Sequence, residues 1–171
     1  MANDKTLIMS GSATLAIGDA GGAATAVGYT RGGVSVTKSK DTRRIEADQT
    51  YHPLYIQTSG EGFEINMRLL ESTLENMKIA FGEVNDGSGG PPLTALSLGV
   101  FSTTPEEKII ELYGTRKDGK YVKFTFYRCI LTATGAYSYS KDDEALLEAT
   151  FTAVMDDTED CLGLAEVTAA P

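Results

Sequence analysis

The sequence predicts a mainly antiparallel β sandwich or barrel with one flanking α-helix, a long loop and terminal arms. Residues 63–69, 121–127 and 147–153 alternate apolar and polar side chains, which is the period of a half-buried strand. Turn signals rich in glycine and aspartate separate the apolar segments. A single segment, 72–82, has the spacing and the caps of an amphipathic helix.

Length and composition favour a single domain over residues 1–171. The chain has 42% hydrophobic and 23% charged residues, as soluble domains of this size do. Residues 1–10 lack a period and are predicted to form an N-terminal arm, and residues 161–171 a C-terminal tail. No apolar run approaches the roughly 18 residues of a membrane span. The N-terminus also lacks a cleaved export signal, so we expect neither export by that route nor membrane insertion.

The first strands are predicted before the helix. Residues 13–17 are predicted to form a strand that ends at the glycine-rich segment 18–22. Two further β segments, 27–30 and 34–37, flank a predicted tight hairpin connection at residues 31–33. The strand over 63–69 places its odd-numbered residues toward the core and its even-numbered residues on the opposite face. The core residues are Phe63, Ile65, Met67 and Leu69, and the opposite ones Glu64, Asn66 and Arg68.

The helix is predicted over Ser72–Phe81. Ser72 as the N-cap and Glu75 three residues later fit a capping box, and Gly82 is suited to the C-cap. The helical spacing predicts one buried face, formed by Leu74, Met77 and Phe81 with Ala80 beside them. After the helix, residues 85–92 are predicted to be a flexible loop and residues 93–101 another β segment.

The sequence of the second half of the chain predicts a β meander. Strands over 108–113 and 121–131 meet at a turn that contains Asp118-Gly119. The final strand places small and large apolar residues alternately toward the core. The predicted core residues of these strands are Val122, Phe124, Phe126, Leu147, Ala149, Phe151 and Ala153.

The search for catalytic and metal-binding patterns finds none. No phosphate-binding glycine loop, zinc-protease helix or nucleophile elbow is present, and Cys129, Cys161 and His52 do not form a zinc motif. Cys129 lies in an apolar run, which favours an inert buried thiol. The acidic residues 156–160 miss the calcium-loop spacing and favour a solvated turn. We therefore expect no catalytic residues, no metal, no cofactor and no enzymatic activity.

Charge is the other distinctive property of the composition. The formal net charge is −9, from 24 acidic and 15 basic residues. Such a surface repels phosphates and disfavours tight nucleic-acid binding. Solubility is the general explanation of such a charge.

The segment from residue 28 to residue 82 orders two β segments, a charged loop, a strand and one capped helix. In that order and in the wording GGVSV, IEADQTYHP and STLENMKIAFG it resembles the bacteriophage major tail tube protein family, the hexameric tube proteins of long-tailed phages and related injection machines. The resemblance implies a structural virion protein, located in the viral tail and assembled in the cytoplasm of the bacterial host. It further implies hexameric rings that stack into a tail tube and conduct DNA during ejection.

The resemblance also implies partners and surfaces. The partners are further copies of the chain, the tape-measure, tail-tip and tail-terminator proteins, and DNA in transient, non-specific passage. If about four strands per subunit face inward, roughly 24 strands close one ring. The charged segment then becomes a long assembly loop near inter-ring contacts, with Lys38, Lys40, Asp41, Arg43, Arg44, Glu46 and Asp48. The polar faces of two strands supply the candidate lumen residues Glu64, Asn66, Glu148, Thr150 and Thr152.

Three alternatives remain open at this stage. The chain can be the tube protein of a contractile injection or secretion system, which shares the fold that the resemblance implies. It can be a soluble β-barrel module that binds a small ligand in its mouth, or, as a weaker alternative, a hydrolase. The charged segment 38–48 is equally well explained as a solvated loop or hairpin.

Overall fold

The computed structural model describes residues 4–46, 48, 52–82, 96, 98, 104–133, 137–138 and 144–169. A short 3₁₀ helix, Lys5–Leu7, precedes the first strand. The further elements in this part of the chain are β1 (Met9–Asp19), β2 (Thr25–Ala26), β3 (Ser35–Ile45), β4 (Tyr55–Leu69), α1 (Leu74–Phe81), β5 (Glu107–Arg116), β6 (Tyr121–Ala133), β7 (Tyr137–Ser138), β8 (Leu146–Ala153) and β9 (Leu164–Thr168). None of the described helices has the length and apolarity needed to cross a membrane.

The nine described strands belong to one antiparallel sheet, in the order β2-β1-β5-β6-β8-β4-β3, with β7 paired to β8 and β9 to β6 beside this path. The long strand β6 pairs with β5 along one edge. Along its other edge the first half pairs with β9 and the second half with β8. The turn between β5 and β6 is the predicted one, with Gly119 in the left-handed region at φ 78°.

Residues 25–31 join the two ends of this sheet. At its start the segment pairs with β1, where the backbone N–H of Val27 donates to the carbonyl of Leu15 (3.1 Å). At its end it pairs with β4, where the N–H of Arg31 donates to the carbonyl of Arg68 (3.1 Å). The strands therefore close into a barrel, and the predicted mainly β fold with one flanking helix is confirmed.

The predicted hairpin connection at residues 31–33 is wrong. Thr30 bridges Leu69 and Ser35 pairs with Asn66, so the segments before and after the connection follow the same edge of β4. The two glycines between them have φ values of 75° and 81°. They let the chain bulge and continue in its direction, where a hairpin would reverse it.

The core fills the inside of the barrel. The alternation predicted for residues 63–69 and 147–153 is confirmed, because Ile65, Met67 and Leu69 are buried together with Leu147 and the other apolar residues of β8. β1, β5 and β6 complete this core with Leu15, Ile17, Ile110, Leu112, Phe126 and Cys129. The rings of Phe63 and Phe126 lie 5.5 Å apart, although β8 separates their strands in the sheet order, so the sheet is strongly curved.

The helix begins one residue later than the predicted N-cap implies, at Leu74. Its N-cap is Thr73, whose hydroxyl accepts from the N–H of Asn76 (3.1 Å), so the predicted capping box of Ser72 and Glu75 is wrong. Gly82 is the predicted C-cap, in the left-handed region at φ 68°. The fully buried apolar residue of the helix is Ala80, whereas the predicted Leu74, Met77 and Phe81 are half-buried.

Asn76 is the buried polar residue that the apolar spacing could not reveal. Its side-chain amide donates to the carbonyls of Val27 (2.9 Å) and Glu71 (2.8 Å), which fastens α1 to the segment that closes the barrel. Because both amide hydrogens are satisfied, the burial of this side chain is not penalised.

Other predicted boundaries change for the same kind of reason: strand pairing overrides local composition. Most of the charged segment predicted as a loop lies in β3, the predicted C-terminal tail contains β9, and the N-terminal arm enters β1 at Met9. The predicted loop 85–92 lies outside the described residues. So does the β segment 93–101, except for Leu96 and Leu98.

Candidate assembly surfaces

The candidate lumen residues lie together on one face of two adjacent strands. Across β4 and β8, Glu64 is opposite Thr152, and Asn66 is opposite Thr150. Arg68 and Glu148 form the next pair. Since their neighbours in both strands point into the core, these side chains lie on the outside of the barrel. We call this surface the polar face, consisting of Glu64, Asn66, Arg68, Glu148, Thr150 and Thr152.

Hydrogen bonds connect the side chains of the polar face. The Thr150 hydroxyl donates to Asn66 Oδ1 (2.6 Å), and Asn66 Nδ2 donates to Glu64 Oε1 (2.9 Å). On β6, the Thr132 hydroxyl lies 3.0 Å from that of Thr152. Paired polar side chains of this kind hold each other in fixed orientations, which gives the face a defined hydroxyl- and amide-bearing surface.

Arg68 is the member of this face that the lumen prediction omitted. Its Nε lies 2.8 Å from Glu148 Oε1, so one of the two acidic residues is paired. The six residues carry one net negative charge, from Glu64 and Glu148 against Arg68. Arg68 thus adds one positive charge beside the five candidate residues, and its pairing with Glu148 leaves no excess of positive charge on this face.

A two-stranded ribbon projects from the barrel beside this face. It consists of residues 38–45 of β3 and 54–61, mostly β4, and we call it the ribbon. The pairing of β4 with β8 ends at Glu64, so the two arms of the ribbon pair with each other and with no third described strand. Eight residues of strand extend roughly 25 Å. The predicted assembly loop is thus a strand in a projecting ribbon, and its proposed role remains a prediction.

The two sides of the ribbon differ in charge. Lys38 and Lys40 lie opposite Phe63 and Glu61, on the side that is continuous with the core. Their ammonium groups are 2.9 and 3.4 Å from the Glu61 carboxylate, and the hydrogen bond from Lys38, followed by that from Lys40, lowers the pKa of Glu61. On the other side, Ser39 donates to the carbonyl of Gly62 (3.4 Å). Ser39 and Gly62 continue the polar face there, and Asp41 and Arg43 lie further along the same side of β3.

The end of the ribbon carries exposed apolar side chains. Ile45, Leu54, Tyr55 and Ile56 are between 43% and 62% exposed. Arg43 and Arg44 lie among them, and in the described part of the chain neither forms an ion pair. Exposed apolar groups beside unpaired arginines are the composition of an interface.

Cys129 behaves as the sequence predicts. It is fully buried in the core, and burial raises the pKa of its thiol to about 12. A thiol with such a pKa is unreactive at neutral pH.

No protein-family model matches this chain, and no curated protein matches it in sequence. Its fold is similar to that of a chain in a cryo-EM structure of an extracellular contractile injection system, the PVC sheath-tube complex in its extended state. The similarity has a TM-score of 0.54 at 15% sequence identity, and it covers 92% of this chain and 89% of that chain. The fold thus corresponds, over nearly the whole length of both chains, to that of a protein from a contractile injection machine.

Proposed function

We propose that this chain is the tube subunit of a contractile injection machine, in which hexameric rings stack into a hollow tube inside a sheath. The observation that carries the proposal is the fold similarity to a chain of a sheath-tube complex, with nearly complete coverage of both chains. The sequence resemblance to tube proteins points independently to the same class of protein. The role is structural, with the chain itself as its main partner and a sheath protein as the second.

The surfaces of the barrel support this assignment. A tube subunit needs one polar wall for the lumen and projecting groups for contacts between rings. The polar face supplies the first, with one net negative charge and hydrogen-bonded hydroxyls. The ribbon supplies the second, because it leaves the barrel and ends in exposed apolar residues.

A ligand-binding barrel has weaker support. Such a module holds its ligand in the mouth or interior of the barrel. Here Leu15, Ile65 and Phe151 are fully buried and fill the interior. One cleft of about 420 Å³ lies on the polar face, and another of about 430 Å³ lies between α1 and the β1–β2 edge. Neither is the barrel interior in which such a module holds its ligand.

Electron microscopy of the purified protein at increasing concentration tests the proposed function. We expect rings and tubes of constant diameter. A chain that stays monomeric at every concentration, or forms only amorphous aggregates, would contradict the assignment.

Conduction of DNA in a phage tail is the second candidate, and the charge of the polar face favours it. A wall without excess positive charge does not retain phosphates. Replacing Glu64 and Glu148 together with lysine should leave tubes intact and slow the passage of DNA, more strongly at low salt. Replacing Thr150 and Thr152 with serine is the matched control. Equal DNA passage through intact tubes of both variants would remove the polar face from this role.

A further inference from the structure

A second surface of the barrel has the charge opposite to that of the ribbon. It consists of the turn after β8 and of β9, and we call it the acidic surface, with Asp156, Asp157, Glu159, Asp160 and Glu166. From residue 142 to residue 171 the sequence contains nine acidic residues and no lysine or arginine. In contrast, β3 contains four basic residues and one acidic residue.

The acidic surface has a defined shape. The Asp156 carboxylate accepts from the backbone N–H groups of Thr158 (2.8 Å) and Glu159 (3.0 Å), and Asp156 also forms a backbone bridge with Cys161. These bonds hold the turn directly before β9. Burial, and then the charges of Glu159, Cys161 and Glu166, raise the pKa of Tyr127.

The charges of this surface are mostly unpaired. Arg128 is 3.8 Å from Asp157 and forms its closer ion pair, at 2.6 Å, with Glu107. In the described part of the chain, Glu159 and Glu166 form no ion pair. The surface therefore carries an excess of negative charge, which Arg128 and Lys123, the latter opposite Glu166, compensate only in part.

The two surfaces also match in their apolar content. Met155, Leu164 and Val167 are between 47% and 54% exposed, beside the acidic residues. β9 pairs with β6 along one edge only, so its other edge has no partner among the described strands. An exposed strand edge with apolar residues favours contact with a further chain.

From these observations we propose that the ribbon of one copy docks on the acidic surface of a second copy of this chain. The inference rests on the proposed function and names the two faces of a contact between neighbouring rings. The end of the ribbon, which carries Arg43 and Arg44 on its two opposite sides, meets the acidic turn. Its apolar residues lie against Met155 and against the free edge of β9 at Leu164 and Val167. Opposite charges fix the register of the contact, while the apolar residues supply most of its affinity.

Charge exchange tests the contact. One variant carries Arg43→Glu and Arg44→Glu, a second carries Asp157→Lys and Glu159→Lys, and a third combines all four substitutions. Each of the first two should raise the critical concentration for tube formation at least about tenfold. The combined variant should restore assembly, because it exchanges the signs and preserves their complementarity.

The control variant, Lys117→Glu with Lys120→Glu, changes the net charge as the ribbon variant does but alters the turn between β5 and β6. It should assemble as the wild type does. Circular dichroism and chemical denaturation establish that every variant is folded. Normal assembly of either two-residue variant, or a folded combined variant that does not regain tubes, would overturn the docking while leaving the tube function intact. Failure of the wild type to form tubes would overturn both.

Discussion

The strand β4 runs through two regions of the molecule that differ in the burial of their apolar side chains. Its second half lies in the barrel wall, where Ile65 and Met67 are buried and each neighbour faces outward. Its first half lies in the ribbon, where Tyr55 and Ile56 are exposed although they are also large hydrophobic residues. The same backbone conformation thus serves a core in one place and a free surface in the other. The barrel is stabilised within the chain, whereas the ribbon is suited to contacts between chains.

The largest difference between the two regions should appear on removal of a core side chain. Phe151 is 1% exposed at the centre of the barrel, so Phe151→Ala should lower the free energy of unfolding by about 3–5 kcal/mol. Thr152→Ala, one residue away on the polar face, is the matched control and should cost well under half of that. Chemical denaturation of the purified monomers measures both. Equal losses would show that β8 does not separate core from surface as described.

The next largest loss of unfolding free energy should come from a substitution in the segment that closes the barrel. Gly28 has φ 87°, and a Cβ there would lie 2.3 Å from the carboxylate of Glu71, which accepts from the N–H of Tyr29. Gly28→Ala should therefore cost about 2–3 kcal/mol, from backbone strain and the displaced carboxylate.

Gly32→Ala separates the two causes of that loss. Gly32 also has positive φ, at 75°, but open space surrounds the position of its Cβ. We expect a loss of about 1–2 kcal/mol, from the backbone alone. Equal unfolding free energies of the two variants would mean that Glu71 does not constrain the closing segment.

Substitutions in the ribbon should show the opposite pattern: they should change the stability of the monomer little and impair the assembly of tubes strongly. Tyr55→Ser with Ile56→Ser removes exposed apolar groups, so the unfolding free energy of the monomer should change by less than about 0.5 kcal/mol. Tube formation followed by light scattering should be lost. A monomer destabilised by several kcal/mol would assign these side chains to the fold and contradict the comparison.

The sequence reveals the barrel better than the ribbon, and the reason is physical. Alternation arises where one side of a strand is buried, so residues 63–69 and 147–153 are identifiable from their pattern. β3 has no buried side, and its lysines and arginines therefore resemble those of a loop. Its strand character comes from pairing with β4, which local sequence does not encode.

The candidate surfaces, too, are predictable from the sequence only in part. Period two places the five candidate lumen residues on the outer sides of their strands, but only the register of β4 with β8 makes them neighbours. The partner of Arg68 and the closure through residues 25–31 depend on such long-range pairing. The shift of the N-cap from Ser72 to Thr73 has a local cause, because two adjacent hydroxyl residues compete for the N-cap position.

The smallest expected effect tests charge pairing on the outer barrel wall, at the ion pair between Glu111 of β5 and Lys123 of β6. Burial raises the pKa of Glu111, but hydrogen bonds from Lys123 (2.8 Å) and Tyr113 (2.6 Å) outweigh it, and the net pKa lies below its ordinary value of 4.5. A carboxylate with a lowered pKa stabilises the folded state fully above its unfolded pKa. That contribution is lost as the pH falls through the folded pKa.

Glu111→Gln should therefore lower the free energy of unfolding on the order of 1 kcal/mol at pH 7. The difference from the wild type should shrink below pH 4.5, because protonation then removes the same charge from the wild-type side chain. Denaturation at a series of pH values measures this, with Glu46→Gln, at an exposed position after β3, as the control, which should follow the wild type. A difference that persists unchanged at low pH would assign the effect to packing of the side chain, and the ion pair with Lys123 would then contribute nothing to the stability of the barrel.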